Sequence, residues 1–384
     1  MNYKTIIHIA DIHFGAIDPI AELAILEEQF LKPISRIQFD ILSIDGDLFD
    51  RRFSANHPAI TAAINFVSKC ANLCIMRGAK LILLSGTESH DAGQLSLFYS
   101  LADSMGVDIT IVERTQFVYT HGLKILCIPE EYGKGVAYYE EFLKHTYDMV
   151  FMHGTLVGGI PGATQEDLGA RREPIFSIDS FSGCKGPIVA GHVHTAMCLQ
   201  QHMYYVSSPV RWRFGEEQDK GYAIVLYDTI TRRYDYNFRV INSYKYVTVG
   251  INDLTNTDPN EIIKYLEDLK LRGIDYIRFD CKGLYPYQIA VLAKYIREHN
   301  NSRIKLMNAN TSMNQSGELI SADASPEEVS KLDSVLAKML LAPNMDEYTK
   351  FVFYLNFNEG DDYMTVDRLK KILSDEQNRN KIGG

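Results

Sequence analysis

Short runs of aliphatic and β-branched residues alternate with helix-length stretches through the first half of the chain. The first three runs cover residues 6–9, 41–44 and 81–84, and amphipathic segments near 20–37 and 57–77 separate them. This order predicts a βαβαβ arrangement, in which parallel strands are covered on both faces. After residue 105 strand-like runs dominate, and two sheets packed face to face between helices would accommodate them. The pattern therefore predicts a layered α/β fold.

A second pattern of the same kind begins near residue 244. A strand-like run at 246–249 precedes Asp258-Pro259, which predicts a helix N-terminus because Asp caps helices and Pro suits their first turn. Further strands are predicted at 276–279 and 303–306, with a helix near 286–299 between them. We predict domains at 1–240 and 244–309, a polar linker at 310–325 and a helical segment at 326–384.

Composition narrows the classes of function. The chain has 384 residues, 46% of them hydrophobic and 23% charged, and a net charge of −10. This charge argues against a protein that holds nucleic acid by a broadly basic surface. No apolar run approaches the ~20 residues that span a bilayer, and the N-terminus leads directly into a strand. We expect a cytoplasmic protein without membrane contact, whose six scattered cysteines are reduced.

Carboxylates and imidazoles follow the predicted strands at five places. Strand ends converge at one edge of an α/β sheet, so these side chains are predicted to meet. Carboxylate and imidazole groups are the ligands of divalent metals. The five segments are Asp11-Ile12-His13, Gly46-Asp47, Ser89-His90-Asp91, His153, and Gly191-His192-Val193-His194.

Each segment alone is more often an ordinary turn or a core histidine than a metal site. Gly46 allows the sharp backbone exit that could place Asp47 between two ions. His192 and His194 would point to opposite faces of an extended strand, so Gly191 must open a loop for both to face one cluster. The repetition of this arrangement at strand ends is what favours a metal site.

In this order the motifs resemble those of the calcineurin-like metallophosphoesterases, over residues 5 to about 230. They are DxH, GDxxD, a segment similar to GNH, a later His, and GHxH. The resemblance implies a four-layer core of two packed sheets flanked by helices. Further segments are similar to SbcD, the bacterial and phage counterpart of the meiotic-recombination DNA nuclease: residues 128–132, Ser208-Pro209, 214–217 and Lys220-Gly221.

The resemblance also implies roles for individual residues. Asp11, His13, Asp47 and His194 would bind one divalent ion, and Asp47, His153 and His192 would bind the other. Asp47 would then bridge the two ions. Manganese is the favoured metal and magnesium the alternative.

His90 corresponds to the family's active-site histidine, which protonates the leaving oxygen. Asp50 would be its carboxylate partner, favouring the protonated ring.

One segment departs from the family pattern. The family has Gly-Asn-His-Asp or Gly-Asn-His-Glu, whereas this chain has two extra residues and no asparagine between Gly86 and Asp91. An amide-oxygen ligand of the second metal is therefore missing. Ser89, Glu88 or water could take its place, and Ser89 is the candidate ligand.

The same resemblance implies DNA as the substrate and a second protein as partner. Arg51, Arg52, Arg211 and Arg213 could contact DNA phosphates, although they could equally be solvated surface charges. Residues 244–309 would be a DNA-capping domain, and the C-terminal helices would dock on an SbcC-type ATPase. Homodimerisation stays open.

Two other functions remain alternatives. One is a metallophosphatase or phosphodiesterase acting on a phosphoprotein or a cyclic nucleotide. The other is a non-catalytic scaffold with a degenerate metal site, which the missing asparagine suggests.

Overall fold

The computed structural model describes residues 2–91, 93–158, 175–200, 202–299, 301–308, 312–313 and 319–320. The chain divides into two compact units, Met1–Tyr244 and Lys245–Gly384.

The first unit contains two six-stranded sheets. In the first sheet, an antiparallel pair of strands is added to one side of four parallel strands. The first two parallel strands along the chain pair with Ile6 opposite Ile41. In spatial order the strands are β14 (Tyr234–Ile241), β13 (Lys220–Asp228), β1 (Tyr3–Ile9), β2 (Ile41–Asp45), β3 (Lys80–Leu84) and β4 (Ile109–Val112).

The second sheet has four parallel strands at its centre and an antiparallel strand at each edge. In spatial order its strands are β11 (Met197–Gln200), β12 (Met203–Tyr205), β10 (Ile188–Gly191), β7 (Met149–His153), β6 (Leu123–Ile128) and β5 (Gln116–Thr120). Two further strands, β8 (Thr155–Leu156) and β9 (Ile175–Phe176), pair with each other.

Helices cover the outer faces of the sheets. Against the first sheet, Phe30 and Phe66 pack with Ile7 and Leu42, whereas Tyr139 packs with Val150 against the second. The helical segments of this unit are Pro19–Leu26 continued by the π-helix Glu27–Leu31 and by Lys32–Ile34, then Pro58–Arg77, Glu88–Asp91, Tyr99–Met105 and Val136–Leu143, with 3-10 turns at Gln94–Phe98 and Ile178–Phe181.

A third cluster of buried side chains fills the space between the sheets. It joins Ile6 and Ile82 of the first sheet to Ile125, Phe151 and Val189 of the second. Burial of apolar side chains on both faces of both sheets stabilises the stack, at roughly 1.5–3 kcal/mol for each large residue. The predicted order of helix, sheet, sheet and helix is confirmed.

Within the described residues, one helix, Pro58–Arg77, has the length and the apolar composition of a membrane-crossing helix, whereas the sequence pattern predicted none. Ala63, Phe66 and Cys70 of this helix are buried in the core, so its length and composition are only weak evidence of a membrane span. His57 caps its N-terminus by accepting from the Ala59 amide, and Gly78 ends it in a left-handed conformation.

The second unit contains a parallel three-stranded sheet and two helices, as the pattern predicted. Asp258 caps the first helix by accepting a hydrogen bond from the Asn260 amide. Ile262, Leu266 and Leu292 are buried against the sheet. The elements are β15 (Tyr246–Gly250), a 3-10 turn at Ile251–Asp253, the helix Pro259–Leu271, β16 (Tyr276–Asp280), the helix Pro286–Glu298 and β17 (Ile304–Met307).

Within the stretch predicted as a linker, two short strands, β18 (Ser312–Met313) and β19 (Leu319–Ile320), pair antiparallel. The predicted helical segment 326–384 lies outside the described residues.

Candidate metal centre

The polar segments that follow the strands meet at one end of the two sheets of the first unit. Asp11 follows β1 and Asp47 follows β2, while His153 ends β7 and His192 and His194 follow β10. The ligand atoms of these residues form overlapping groups within which all atoms lie no more than 4.8 Å apart. The structure thus brings together residues that are up to 183 positions apart, from Asp11 to His194.

The backbone at several of these positions is in the left-handed region. The φ angles are 52° at Asp11, 58° at His13, 51° at Asp47 and 92° at His192. Such conformations are uncommon for residues with a side chain and tend to occur at functional sites. Hydrogen bonds hold two of these turns together, because the Asp11 amide donates to the Gly46 carbonyl and the His13 amide to the Asp47 carbonyl, both at 3.0 Å.

Two glycines allow the loops to approach each other. A Cβ on Gly46 would lie 2.2 Å from His153 Nδ1, and a Cβ on Gly191 would lie 2.3 Å from the Asp45 carbonyl oxygen. Both distances are shorter than any real carbon contact, so a side chain at either position would displace the imidazole or the loop.

The first group contains Asp11, His13 and His194. His13 Nε2 lies 3.2 Å from His194 Nε2, which in turn lies 3.7 Å from Asp11 Oδ1. Both Asp11 oxygens accept from the His192 amide, at 2.9 and 3.0 Å, which fixes the carboxylate. Burial lowers the pKa of His13 well below its usual range, so the ring is neutral and able to bind a metal.

The second group contains His153, His192 and a residue that sequence analysis did not assign, Glu130. His153 Nδ1 lies 2.8 Å from the Asp45 carbonyl oxygen, so Nδ1 carries the hydrogen and Nε2 is left for another partner. His153 Nε2 is buried without a hydrogen bond, 3.3 Å from Asp47 Oδ2 and 3.6 Å from Glu130 Oε2. An orphaned imidazole nitrogen facing carboxylate oxygens fits a divalent ion.

Asp47 lies between the two groups. Its Oδ2 is 3.6 Å from His13 Nε2 and 3.3 Å from His153 Nε2. Burial alone would raise the pKa of Asp47, but the neighbouring His153 outweighs it and holds that pKa below its usual range. An ionised carboxylate in this position suits the predicted bridging role.

His90 is held differently from the expectation. Its Nδ1 contacts the backbone carbonyl of Asp50, so the main chain of Asp50 fixes the ring. The Asp50 carboxylate shares a close group with His13 and His90, and its Oδ2 lies 3.9 Å from Arg51 Nε. The His90 ring meets the His13 ring edge-on, with centroids 4.6 Å apart, which places it beside the first metal group.

The segment that departs from the family pattern forms the short helix Glu88–Asp91. Ser89 and Glu88 are exposed, whereas Asp91 is fully buried. Thr87, just before the helix, donates from its amide to Asp47 Oδ1 at 2.6 Å. Sequence analysis assigned no role to Glu130 or Thr87 and named Asp91 only as part of the segment Ser89-His90-Asp91. Glu130 nevertheless lies two residues past the end of β6, as Asp11 and Asp47 lie two residues past the ends of their strands.

The predicted DNA-contacting arginines do not share one environment. Arg51, Arg52 and Arg213 are exposed. Arg211 is mostly buried and donates to the Gln218 carbonyl at 2.7 Å. Trp212 lies beside the metal groups, with its ring centroid 5.1 Å from those of both His13 and His194.

The Arg213 guanidinium stacks on Trp212 with its central carbon 4.7 Å from the ring centroid. A cleft of about 600 Å³ opens beside them, lined by His192, His194, Glu216 and Lys220 among others. Burial lowers the pKa of Lys220 to about 8, and its ammonium group lies 3.7 Å from Glu216 Oε1.

Comparison with known proteins gives a general phosphoesterase relationship. The chain is 20% identical over 237 residues to "Putative phosphoesterase 244L" of Invertebrate iridescent virus 6, covering 59% of this chain and 78% of that protein. No family model matches the sequence.

Among solved structures, the protein TT1561 of Thermus thermophilus is 10% identical with a TM-score of 0.37, covering 61% of this chain and 98% of its own. A cold-active protein-tyrosine phosphatase of a psychrophilic Shewanella is 12% identical with a TM-score of 0.28. The match covers 61% of this chain and 80% of that protein. The fold assignment rests on the sheet order described above.

Proposed function

We propose that this protein is a two-metal DNA nuclease that hydrolyses phosphodiester bonds at DNA ends. The general class, a metal-dependent phosphoesterase, is supported by the clustered ligands and by the viral relative. The observation that carries the proposal is the position of Asp47, whose carboxylate lies between two groups of imidazoles and carboxylates. Such an arrangement suits two ions a few ångströms apart.

Most side chains of this centre would bind metal, and one would donate a proton. Asp11, His13, Asp47 and His194 would hold one ion, and Asp47, His153 and His192 the other. Two divalent ions supply Lewis-acid activation of the phosphodiester and of the attacking water. Because the Asp50 carbonyl engages His90 Nδ1, Nε2 is the atom that gives its proton to the leaving sugar oxygen as the phosphorus–oxygen bond breaks.

Two features beside the centre favour DNA over a small phosphate ester. Trp212 presents an aromatic ring near His13 and His194, and the exposed Arg213 stacks on it. Aromatic rings and arginines together bind the bases and backbone of single strands. The exposed Arg51 could contact phosphates on the Asp50 side of the centre.

The net charge of −10 leaves little general attraction for DNA, which fits a protein that acts with a partner. The proposed partner is an SbcC-type ATPase bound by residues 326–384, and the unit 244–309 is proposed to cap the DNA.

The test is cleavage of linear, hairpin and circular DNA by purified protein with Mn²⁺ or Mg²⁺, alone and with a cognate ATPase. A cyclic nucleotide, a phosphopeptide and bis-p-nitrophenyl phosphate are compared at equal concentration. The proposal expects metal-dependent cleavage of DNA that chelation abolishes. Turnover of the phosphopeptide or cyclic nucleotide with intact DNA would instead support a phosphatase. Absence of bound metal would support a scaffold.

A further inference from the structure

Glu130 is a buried carboxylate in the second metal group, and the family resemblance gives it no role. It follows β6 in the second sheet, 40 residues after the segment where the family asparagine is missing. Only 6% of its surface is exposed. A buried carboxylate is costly unless hydrogen bonds or positive charge compensate it, so its presence needs an explanation.

The two oxygens of Glu130 have separate surroundings. Oε1 accepts a hydrogen bond from the Tyr132 hydroxyl. Oε2 lies 3.1 Å from His192 Nδ1 and 3.6 Å from His153 Nε2, the two imidazoles assigned to the second ion. The Thr87 hydroxyl donates to Oε2 at 3.1 Å and also lies 3.3 Å from Asp47 Oδ2, so it links Glu130 to the bridging carboxylate.

We propose that Glu130 is a ligand of the second divalent ion and replaces the amide oxygen that the chain lacks. This proposal rests on the two-metal centre of the proposed function and is independent of DNA as the substrate. Tyr132 and Thr87 orient the carboxylate, while Ser89 and Glu88, the candidates that sequence analysis weighed, are exposed on their helix.

The replacement changes the charge of the centre. Two divalent ions carry four positive charges. The carboxylates of Asp11, Asp47 and Glu130 offset three of these charges, whereas an amide in place of Glu130 would leave only two offset. The additional charge should tighten binding at the second site and favour hard ions such as Mn²⁺ and Mg²⁺. It also leaves less net positive charge to attract an anionic substrate.

The experiment is a calorimetric titration of metal-free protein with Mn²⁺, comparing wild type with Glu130→Ala and Glu131→Ala. Glu131 is a matched control, because it is a buried carboxylate next in sequence that accepts from Thr115 instead. Loss of a group that merely supports a metal ligand costs roughly 10- to 100-fold in affinity, so loss of a ligand should cost at least as much. We expect this weakening for the second equivalent of Mn²⁺ in Glu130→Ala and wild-type binding in Glu131→Ala.

Glu130→Gln tests the charge of the ligand, because its amide oxygen is the type of ligand that the family has at the second ion. We expect Glu130→Gln to bind the second equivalent more weakly than wild type and more tightly than Glu130→Ala, since the amide carries no charge. Electron paramagnetic resonance provides a spectroscopic readout: in Glu130→Ala we expect the spin-coupled signal of a manganese pair to give way to that of isolated Mn²⁺ at one equivalent. Two tight equivalents in Glu130→Ala, or loss of the second equivalent in Ser89→Ala instead, would overturn the proposal.

A second readout serves if Glu130→Ala is less stable than wild type. An ion that binds the folded state raises the melting temperature with concentration, so the Mn²⁺-dependent rise should be smaller in Glu130→Ala than in Glu131→Ala. Equal rises would contradict the assignment. Two bound ions without DNA cleavage in the wild type would contradict the nuclease and leave Glu130 as a ligand.

Discussion

Backbone carbonyls fix the ring orientation of two histidines in this centre. His153 Nδ1 is held by the Asp45 carbonyl and His90 Nδ1 by the Asp50 carbonyl. A carbonyl only accepts hydrogen bonds, so in each ring Nδ1 carries the hydrogen and Nε2 is directed elsewhere. For His153 that direction is toward the carboxylates of Asp47 and Glu130, and for His90 it leaves Nε2 for the proposed role of proton donor.

The proton-donor role of His90 gives the first prediction. His90→Ala should lower the rate of phosphodiester cleavage by about 10²- to 10⁴-fold, the usual contribution of a general acid. Metal content, measured by elemental analysis after dialysis, should stay at the wild-type level because His90 is not assigned as a ligand. The variant His57→Ala, at the N-terminal cap of the helix Pro58–Arg77, controls for general loss of a histidine. Loss of bound metal in His90→Ala would make it a ligand.

Glu22 is a buried carboxylate outside the metal groups, and it gives a prediction about pH. It is fully buried in the helix Pro19–Leu26, and burial raises its pKa well above the usual 4.5. A raised folded-state pKa means that the stabilising contribution is complete below about pH 4.5 and is lost as the pH rises toward the folded-state pKa.

Glu22→Gln should therefore increase the free energy of unfolding at pH 7 and change it little near pH 4. Urea denaturation at the two pH values measures this difference. Glu28→Gln, in the same helical stretch, removes an exposed carboxylate that pairs with Lys32 and should have a small effect at both. A stability gain for Glu22→Gln that is equal at both pH values would contradict the pKa argument.

The limits of sequence reasoning are clear at this scale. Asp11, Asp47 and His192 were predicted because each follows an apolar run, and strand ends meet wherever the sheet forms. Glu130 has the same position after β6, but a carboxylate becomes a candidate ligand only when the neighbouring strand brings His153 beside it. The contact of His90 with a carbonyl also depends on local backbone geometry that no motif specifies.

At the scale of elements, a single side chain ties the loops after β2 and β3 together. Asp91 accepts hydrogen bonds from the amides of Asp47, Leu48, Phe49 and Gly86, at 2.7–3.2 Å. These amides belong to the turn that carries the bridging carboxylate and to the turn before the helix Glu88–Asp91. Asp91 therefore fixes the position of Asp47 relative to the helix that holds His90.

Asp91→Ala should lower the free energy of unfolding by about 3 kcal/mol or more, since it leaves several buried amides unsatisfied at roughly 1–3 kcal/mol each. Asp91→Asn, which keeps one acceptor oxygen, should lose less. Urea denaturation measures both, with Glu88→Ala as an exposed control in the same helix that should change stability by no more than about 0.5 kcal/mol. If Asp91→Ala unfolds at the same urea concentration as Glu88→Ala, the loops are held by other contacts.

Elements with strong local signals were predicted well. The helices Pro58–Arg77 and Pro259–Leu271 have a capping residue before a first-turn proline, and both begin where those signals indicate. The missed strand β14 alternates aromatic and polar residues, and its pattern is that of an edge strand with one face exposed. Its existence depends on pairing with β13, which a single segment does not reveal. The π-helical turn Glu27–Leu31 likewise has no sequence signature that we recognised.

At the scale of the whole molecule, the candidate ligands of both ions lie within the unit Met1–Tyr244, at five strand ends of two sheets. The order of the strands in each sheet determines which loops meet. The sequence motifs indicated a core of two packed sheets through a family resemblance, but not the order of the strands, since periodicity predicts strands without saying how they pair. The surface of a protein determines which substrate and which partner it binds. The acidic composition argues only against a broadly basic surface.

The last prediction concerns residues 326–384, which contain none of the metal-site motifs. Deleting them should leave Mn²⁺-dependent cleavage of short single-stranded DNA largely intact, because the catalytic groups lie in the first unit. Association with an SbcC-type ATPase, measured by co-purification, should be lost together with ATP-stimulated processing of duplex ends. Phe351→Asp with Leu355→Asp provides a milder variant, because charge on a predicted apolar helix face should disrupt docking without shortening the chain. Undiminished co-purification of the deletion variant would contradict the docking role, and aggregation would indicate that these residues pack on the protein itself.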